Sequence, residues 1–142
     1  MTMDPIDRFA GEFGFLSNFY PAPVTLDGVE YPTVEHAFQA AKTLDESERA
    51  WIRRAQTASI AKKRGREVAL RDDWESIKVD VMRDLLRRKF AIPELKIWLR
   101  ATRGRDLVEG NTWNDRFWGQ VDGVGQNWLG RLLMEIREWQ SE

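Results

Sequence analysis

Hydrophobic positions fall at helical spacing over most of the chain, and Gly, Pro and capping residues mark where each element stops. The first part is different. Over 12–32 the apolar points Phe13, Phe15, Phe19 and Tyr20 are broken by Gly14, Pro21 and Pro23, which predicts short extended pieces joined by turns. Val24-Thr25-Leu26 and Val29-Glu30-Tyr31 flank Asp27-Gly28, a pair suited to the positive φ values of a two-residue hairpin turn. Thr33, after Pro32, is placed to cap a helix that begins at Val34. Asp45 and Glu48 have capping-box spacing for a second helix carrying Trp51 and Ile52. A short third helix is expected over 58–64, stopped near Gly65. Asp73 can cap a fourth, in which Trp74, Ile77, Val81, Met82, Leu85 and Leu86 form a wide apolar face. Pro93 opens a fifth, with Leu95, Trp98 and Leu99 inward and Gly104 at its end. Asp106-Leu107-Val108-Glu109 reads as a strand. A last helix, about 127–139, turns Leu129, Leu132, Leu133 and Ile136 inward. The pattern predicts a single domain over 1–142, α+β but mainly α-helical, with a few short strands and neither repeat nor linker.

Composition narrows the chemistry. The chain has 142 residues, enough for one real core, and a formal net charge of −1. That balance gives no global reason to expect nucleic acid or a membrane surface as partner. With no cysteine, thiolate metal sites are excluded, and one histidine argues against a histidine-rich site. The start Met1-Thr2-Met3-Asp4-Pro5 lacks a leader pattern, and no run reaches membrane-spanning length, so the expected address is the cytoplasm. Seven tryptophans are unusual for this length. Trp51, Trp74, Trp98, Trp128 and Trp139 lie in helical contexts and read as core. Trp113 and Trp118 sit among Gly, Asn and Asp, where stacking on a ligand competes with packing.

Two polar clusters stand out. In Val34-Glu35-His36-Ala37-Phe38-Gln39-Ala40-Ala41-Lys42, about 100° per residue puts Glu35, Gln39 and Lys42 in one narrow arc. Val34, Phe38 and Ala41 lie beside that arc. Such a stripe is either a solvated face or a pocket edge where a desolvated lysine is nucleophilic beside a proton-moving carboxylate. His36 reads first as structural. The second cluster is Glu109-Gly110-Asn111-Thr112-Trp113-Asn114-Asp115, followed by Phe117-Trp118-Gly119. It is either turn chemistry or a loop that holds ribose hydroxyls and a general base around a stacked ring. Lys62-Lys63-Arg64-Gly65-Arg66 is a solvated basic run or a phosphate contact. Glycine-rich phosphate loops and a serine-nucleophile elbow are absent from the sequence.

These residues resemble the NADAR family, also called YbiA-like. The resemblance rests on Phe15-Leu16-Ser17-Asn18-Phe19-Tyr20 with Tyr31-Pro32-Thr33 through Lys42. It continues in Leu107-Val108-Glu109-Gly110-Asn111 with Trp113-Asn114-Asp115 and Phe117-Trp118-Gly119, then in Gly125-Gln126-Asn127-Trp128-Leu129-Gly130 with Leu133-Met134. The three blocks stand in the family's order across about residues 8–138. The resemblance implies a largely helical NADAR domain that hydrolyses N-glycosidic bonds to ribose, without cofactor or metal. Its implied substrates are ADP-ribose on a nucleobase, notably guanine in DNA, and ribosylamino-pyrimidine phosphates of riboflavin synthesis. It also implies a lysine Schiff base with the sugar, a role that falls by motif position on Lys42. Proton transfer would fall on Glu35 or Glu109, and ribose contacts on Asn111 and Asp115, with Asp115 also counted as catalytic. Trp113 or Trp118 would stack on the base, Asn18 and Phe19 would form a wall, and His36, Gln39 and Asn114 complete the binding set. Two rivals come from other classes: a non-catalytic ADP-ribose or nucleotide-binding module, and a structural domain whose Lys42 and Glu109 are exposed.

Overall fold

The structure is a computed structural model that describes residues 3–140. Its elements are a 3-10 helix (Gly11–Leu16), strands β1 (Val24–Leu26) and β2 (Val29–Tyr31), and helices α1 (Val34–Ala41), α2 (Glu46–Arg53), α3 (Ala58–Gly65), α4 (Trp74–Lys89), α5 (Pro93–Ala101) and α6 (Trp128–Gln140). Helices predominate, with one two-stranded antiparallel sheet among the described residues, so the fold is α+β as the pattern predicts. The chain divides into two units: Asn18–Lys89, and the flanking segments taken together.

In the central unit, β1 and β2 pair with Val24 opposite Tyr31 and Leu26 opposite Val29. Asp27 and Gly28 take φ of 49° and 80°, the left-handed conformations that the Asp-Gly pair anticipates. Thr33 caps α1, its Oγ1 accepting from the His36 backbone amide. Helices α2, α3 and α4 and both strands pack on α1. Every residue of α1 is consequently buried. Asp45 caps α2 through its carboxylate, but the reciprocal half of a capping box does not form. Glu48 instead accepts from the Thr43 hydroxyl at 2.7 Å and from the Ala69 amide. Asp73 stands before α4 with its carboxylate taken by Arg71 rather than by the helix amides.

In the flanking unit, Pro93 opens α5 and Leu95 and Leu99 are buried, with Trp98 half-buried against Phe15. Helix α6 packs on α5 and buries Leu129, Leu132, Leu133 and Ile136. Three expectations are corrected here. Residues 11–16 form a 3-10 helix instead of an extended piece; Gly11 enters it at φ 59°, and Phe15 and Leu16 are buried on its one apolar side. The strand expected over 106–109 shrinks to a single parallel bridge of Leu107 with Ile6. Flanked by the turn at 102–105 and the loop after Gly110, it has no room to extend. Trp51 and Trp139 are 38% and 42% exposed, not core. Trp51 instead lies under the Arg64 guanidinium, 4.9 Å from its ring.

Candidate active site

Helix α1 carries its polar stripe inside the protein. Glu35, His36 and Gln39 are all buried, and Lys42, at the helix C-terminus, is half-buried. Burying three polar side chains on one eight-residue helix is costly unless each is paired, and a large share of these bonds is present. Gln39 Nε2 donates to Glu35 Oε1 at 2.9 Å. His36 Nε2 donates to the Ala55 carbonyl at 2.9 Å, and its Nδ1 meets Thr33 Oγ1 at 2.8 Å. Both ring nitrogens are thus committed, Nδ1 to the N-cap of α1 and Nε2 to the segment that follows α2.

What remains open is acceptor capacity. Gln39 Oε1 is buried with no hydrogen-bond partner among the described residues, and so is Asn18 Oδ1. Both residues are bonded to Glu35, one to its backbone and one to its side chain. The Asn18 carbonyl accepts the Glu35 backbone amide at 3.1 Å, while Gln39 bonds the Glu35 side chain. Close approach of α3 shapes the same spot: Gly65 faces Gln39, and a methyl at residue 65 would overlap Gln39 Oε1.

The Lys42 amine is electrostatically tuned. Burial holds its pKa below the ordinary lysine value; Glu35 opposes that shift, while Arg66, Lys62 and Lys78 reinforce it. An amine that sheds its proton more easily, half open to approach, has the properties of a nucleophile. The basic run 62–66 therefore contributes to the field around Lys42 as well as to the surface.

The second cluster lies in the flanking unit and is a tightly built loop. Asn111 Nδ2 donates to the Asp115 carbonyl at 2.9 Å and to Glu109 Oε2 at 3.1 Å, while its Oδ1 accepts from the Asp115 amide. Asp115 Oδ1 accepts from the amides of Phe117 and Trp118 at 3.1 and 2.9 Å. Asn114 takes φ 67°, and its side chain meets Arg116. Gly119 sits against Glu109, where any Cβ would collide with its carbonyl and carboxylate. Asn127, which sequence reasoning assigned no role, anchors the loop: its Oδ1 accepts the Glu109 amide and its Nδ2 donates to the Leu107 carbonyl. Trp113 is 57% exposed at the loop tip, whereas the half-buried Trp118 packs edge-on to Phe117 at 4.9 Å.

Sequence reasoning also passed over Lys89, which is fully buried, and Arg137. Arg137 donates to the carbonyls of Thr102 and Arg105 and ties α6 to the turn after α5. Lys89 sits among charged neighbours, Arg87 and Arg88, and only its place in the heptad of Met82 distinguishes it from them.

Residues 7–139 match the NADAR domain family model, a span that contains both clusters. The chain belongs to the NADAR family. Over 131 residues this NADAR chain is 47% identical to the N-glycosidase YbiA of Escherichia coli K12, covering 89% of the chain and 81% of that protein. It is 34% identical over 133 residues to an N-glycosidase of Nostoc punctiforme, covering 89% and 85%. A riboflavin biosynthesis protein of Vibrio vulnificus is 42% identical over 129 residues, which are 88% of this chain but 35% of that longer protein. The solved NMR structure of Escherichia coli YbiA superposes with a TM-score of 0.83 at 43% identity, over 98% of this chain and 84% of that one.

Proposed function

We propose that this NADAR domain hydrolyses the bond between the anomeric carbon of a ribose and a base nitrogen, using Lys42 as the covalent amine. It is an N-glycosidase, a hydrolase of N-glycosyl bonds, as its identity with two proteins of that name supports. The observation that carries the site is the α1 constellation: a half-buried amine of lowered pKa in the field of a buried carboxylate, beside two buried acceptor oxygens without donors.

The chemistry balances. As the C1′–N bond breaks, its electron pair goes to the base, which takes a proton and leaves neutral. Positive charge develops at C1′ and is stabilised by the Glu35 carboxylate. The neutral Lys42 amine forms a bond to C1′; ring opening then moves an electron pair to the ring oxygen, which is protonated, and leaves an imine. Water adds to the imine and expels the lysine, so that one water is consumed for each base released. Glu35 is the proton carrier we favour, and Glu109 the alternative. Gln39 and Asn18 accept from sugar hydroxyls through their unpartnered oxygens, and Phe19, 42% exposed, adds an apolar wall. Asn111, Asn114 and Asp115 hold the loop's shape, and His36 holds α1.

For substrate we favour ADP-ribose attached to guanine in DNA. The alternative is a ribosylamino-pyrimidine phosphate, which the riboflavin-related name of the Vibrio vulnificus relative supports. Base release from guanine-ADP-ribosylated DNA, measured beside Lys42→Ala, separates them. We expect release by the native protein and a loss of at least about 1000-fold in the variant, as removal of a covalent nucleophile produces. No release from the DNA, with turnover of the pyrimidine intermediate, would transfer the assignment to the alternative.

A further inference from the structure

Lys89 ends α4 with no exposed surface, the kind of position that a leucine or methionine ordinarily fills. Its amine stands over the Tyr20 ring, 5.7 Å from the centroid. A cation at a helix C-terminus and over an aromatic face is stabilised by the helix dipole and the ring quadrupole, which offsets part of the loss of water. Burial still pushes its pKa down to about 7. An amine in a position built for an apolar side chain needs a reason, and its surroundings supply one.

Met82 lies seven residues earlier, two helical turns back on the same face of α4. The Met82 sulfur receives the Asn18 side-chain amide at 3.6 Å. Helix α4 therefore grips the segment Asn18-Phe19-Tyr20 at two points, Asn18 by Met82 and Tyr20 by Lys89. The same segment is bonded to α1 through the Asn18 carbonyl and the Glu35 amide. Its ends are fixed, and Phe19 projects to solvent between them.

We infer that Lys89 is a positioning residue: its amine, seated on Tyr20, sets the place of Asn18 and Phe19 against Glu35. Lys89 does not touch substrate, since nothing of it is exposed. This inference rests on the proposed site only in taking Asn18 and Phe19 as its wall.

The test has two arms. The first needs no substrate. Lys89→Met keeps the volume and removes the charge, so the variant should fold with a Tm no lower than native. In it the Asn18 side-chain amide and Phe19 ring resonances should shift. Tyr20→Leu should shift them too, and Tyr20→Phe, which keeps the ring face, should restore them. If Lys89→Met does not fold, the two Tyr20 variants carry the comparison. Unmoved resonances overturn the positioning role whatever the substrate is. The second arm uses the N-riboside that the native enzyme turns over: KM should rise about tenfold with kcat within about twofold of native, the mark of lost substrate binding. Shifted resonances with native KM would confirm the Lys89 anchor and remove Asn18 and Phe19 from the substrate wall.

Discussion

Two lysines in the central unit have lowered pKa values, and exposure assigns them different tasks. Lys89 is sealed; Lys42 is half open. A covalent nucleophile must be reached by its substrate, a condition that Lys42 meets and Lys89 does not. Its field can be tested through Arg66, an exposed side chain that helps to lower the Lys42 pKa. Removing that charge raises the pKa, so that at any pH below it more of the amine is protonated and unreactive. In Arg66→Gln the acid limb of the kcat profile should therefore move to higher pH, while activity on the alkaline plateau is retained. A limb that stays in place, or moves down, would show that Lys42 ionisation does not limit the reaction. The motif drew attention to Lys42 in the sequence, and helical spacing made the arc of Glu35, Gln39 and Lys42 legible. Their burial was not. The 3.6-residue period gives relative angle, and a helix surrounded on all sides by α2, α3, α4 and the hairpin has no outward face for the pattern to reveal.

At the scale of elements, the close approach of α3 to α1 depends on Gly65. A methyl at that residue meets Gln39 Oε1, which can rotate away, and also stands 3.0 Å from Gln39 Cβ, so that α3 must shift slightly. Gly65→Ala should therefore fold with a Tm somewhat below native, while the Gln39–Glu35 bond is lost. We expect kcat/KM to fall about tenfold, the scale of effect that small displacements of site groups produce. Native kcat/KM in that variant would exclude Gln39 and its bond to Glu35 from the mechanism. Most element positions were readable for local reasons: Asp27-Gly28 for the hairpin, Thr33 and Asp45 for the caps, Pro93 for the start of α5. The failures arose where tertiary partners decide. Glu48 and Asp73 each had a local role available and took a more distant or stronger partner, Thr43 and Arg71. The 3-10 helix and the 107 bridge are set by what packs on them, and propensity carries little of that.

Across the molecule, the family span of 7–139 runs through both units, and the two polar clusters divide between them. They differ in kind. The α1 cluster has unfilled acceptors and a tuned amine; the loop cluster devotes Asn111, and one oxygen of Asp115, to its own backbone. From sequence the two looked equally chemical, because Asn, Asp and Gly serve turns and ligands alike. The covalent chemistry is accordingly proposed at the C-terminal end of α1, and the loop is given a shape-keeping role.

Reductive trapping tests that placement most directly. Borohydride added during turnover should convert the imine to a stable amine, giving a sugar adduct that peptide mass spectrometry locates on Lys42 and that Lys42→Ala lacks. An adduct on another amine, or steady base release with no adduct and undiminished turnover in Lys42→Ala, would contradict the account.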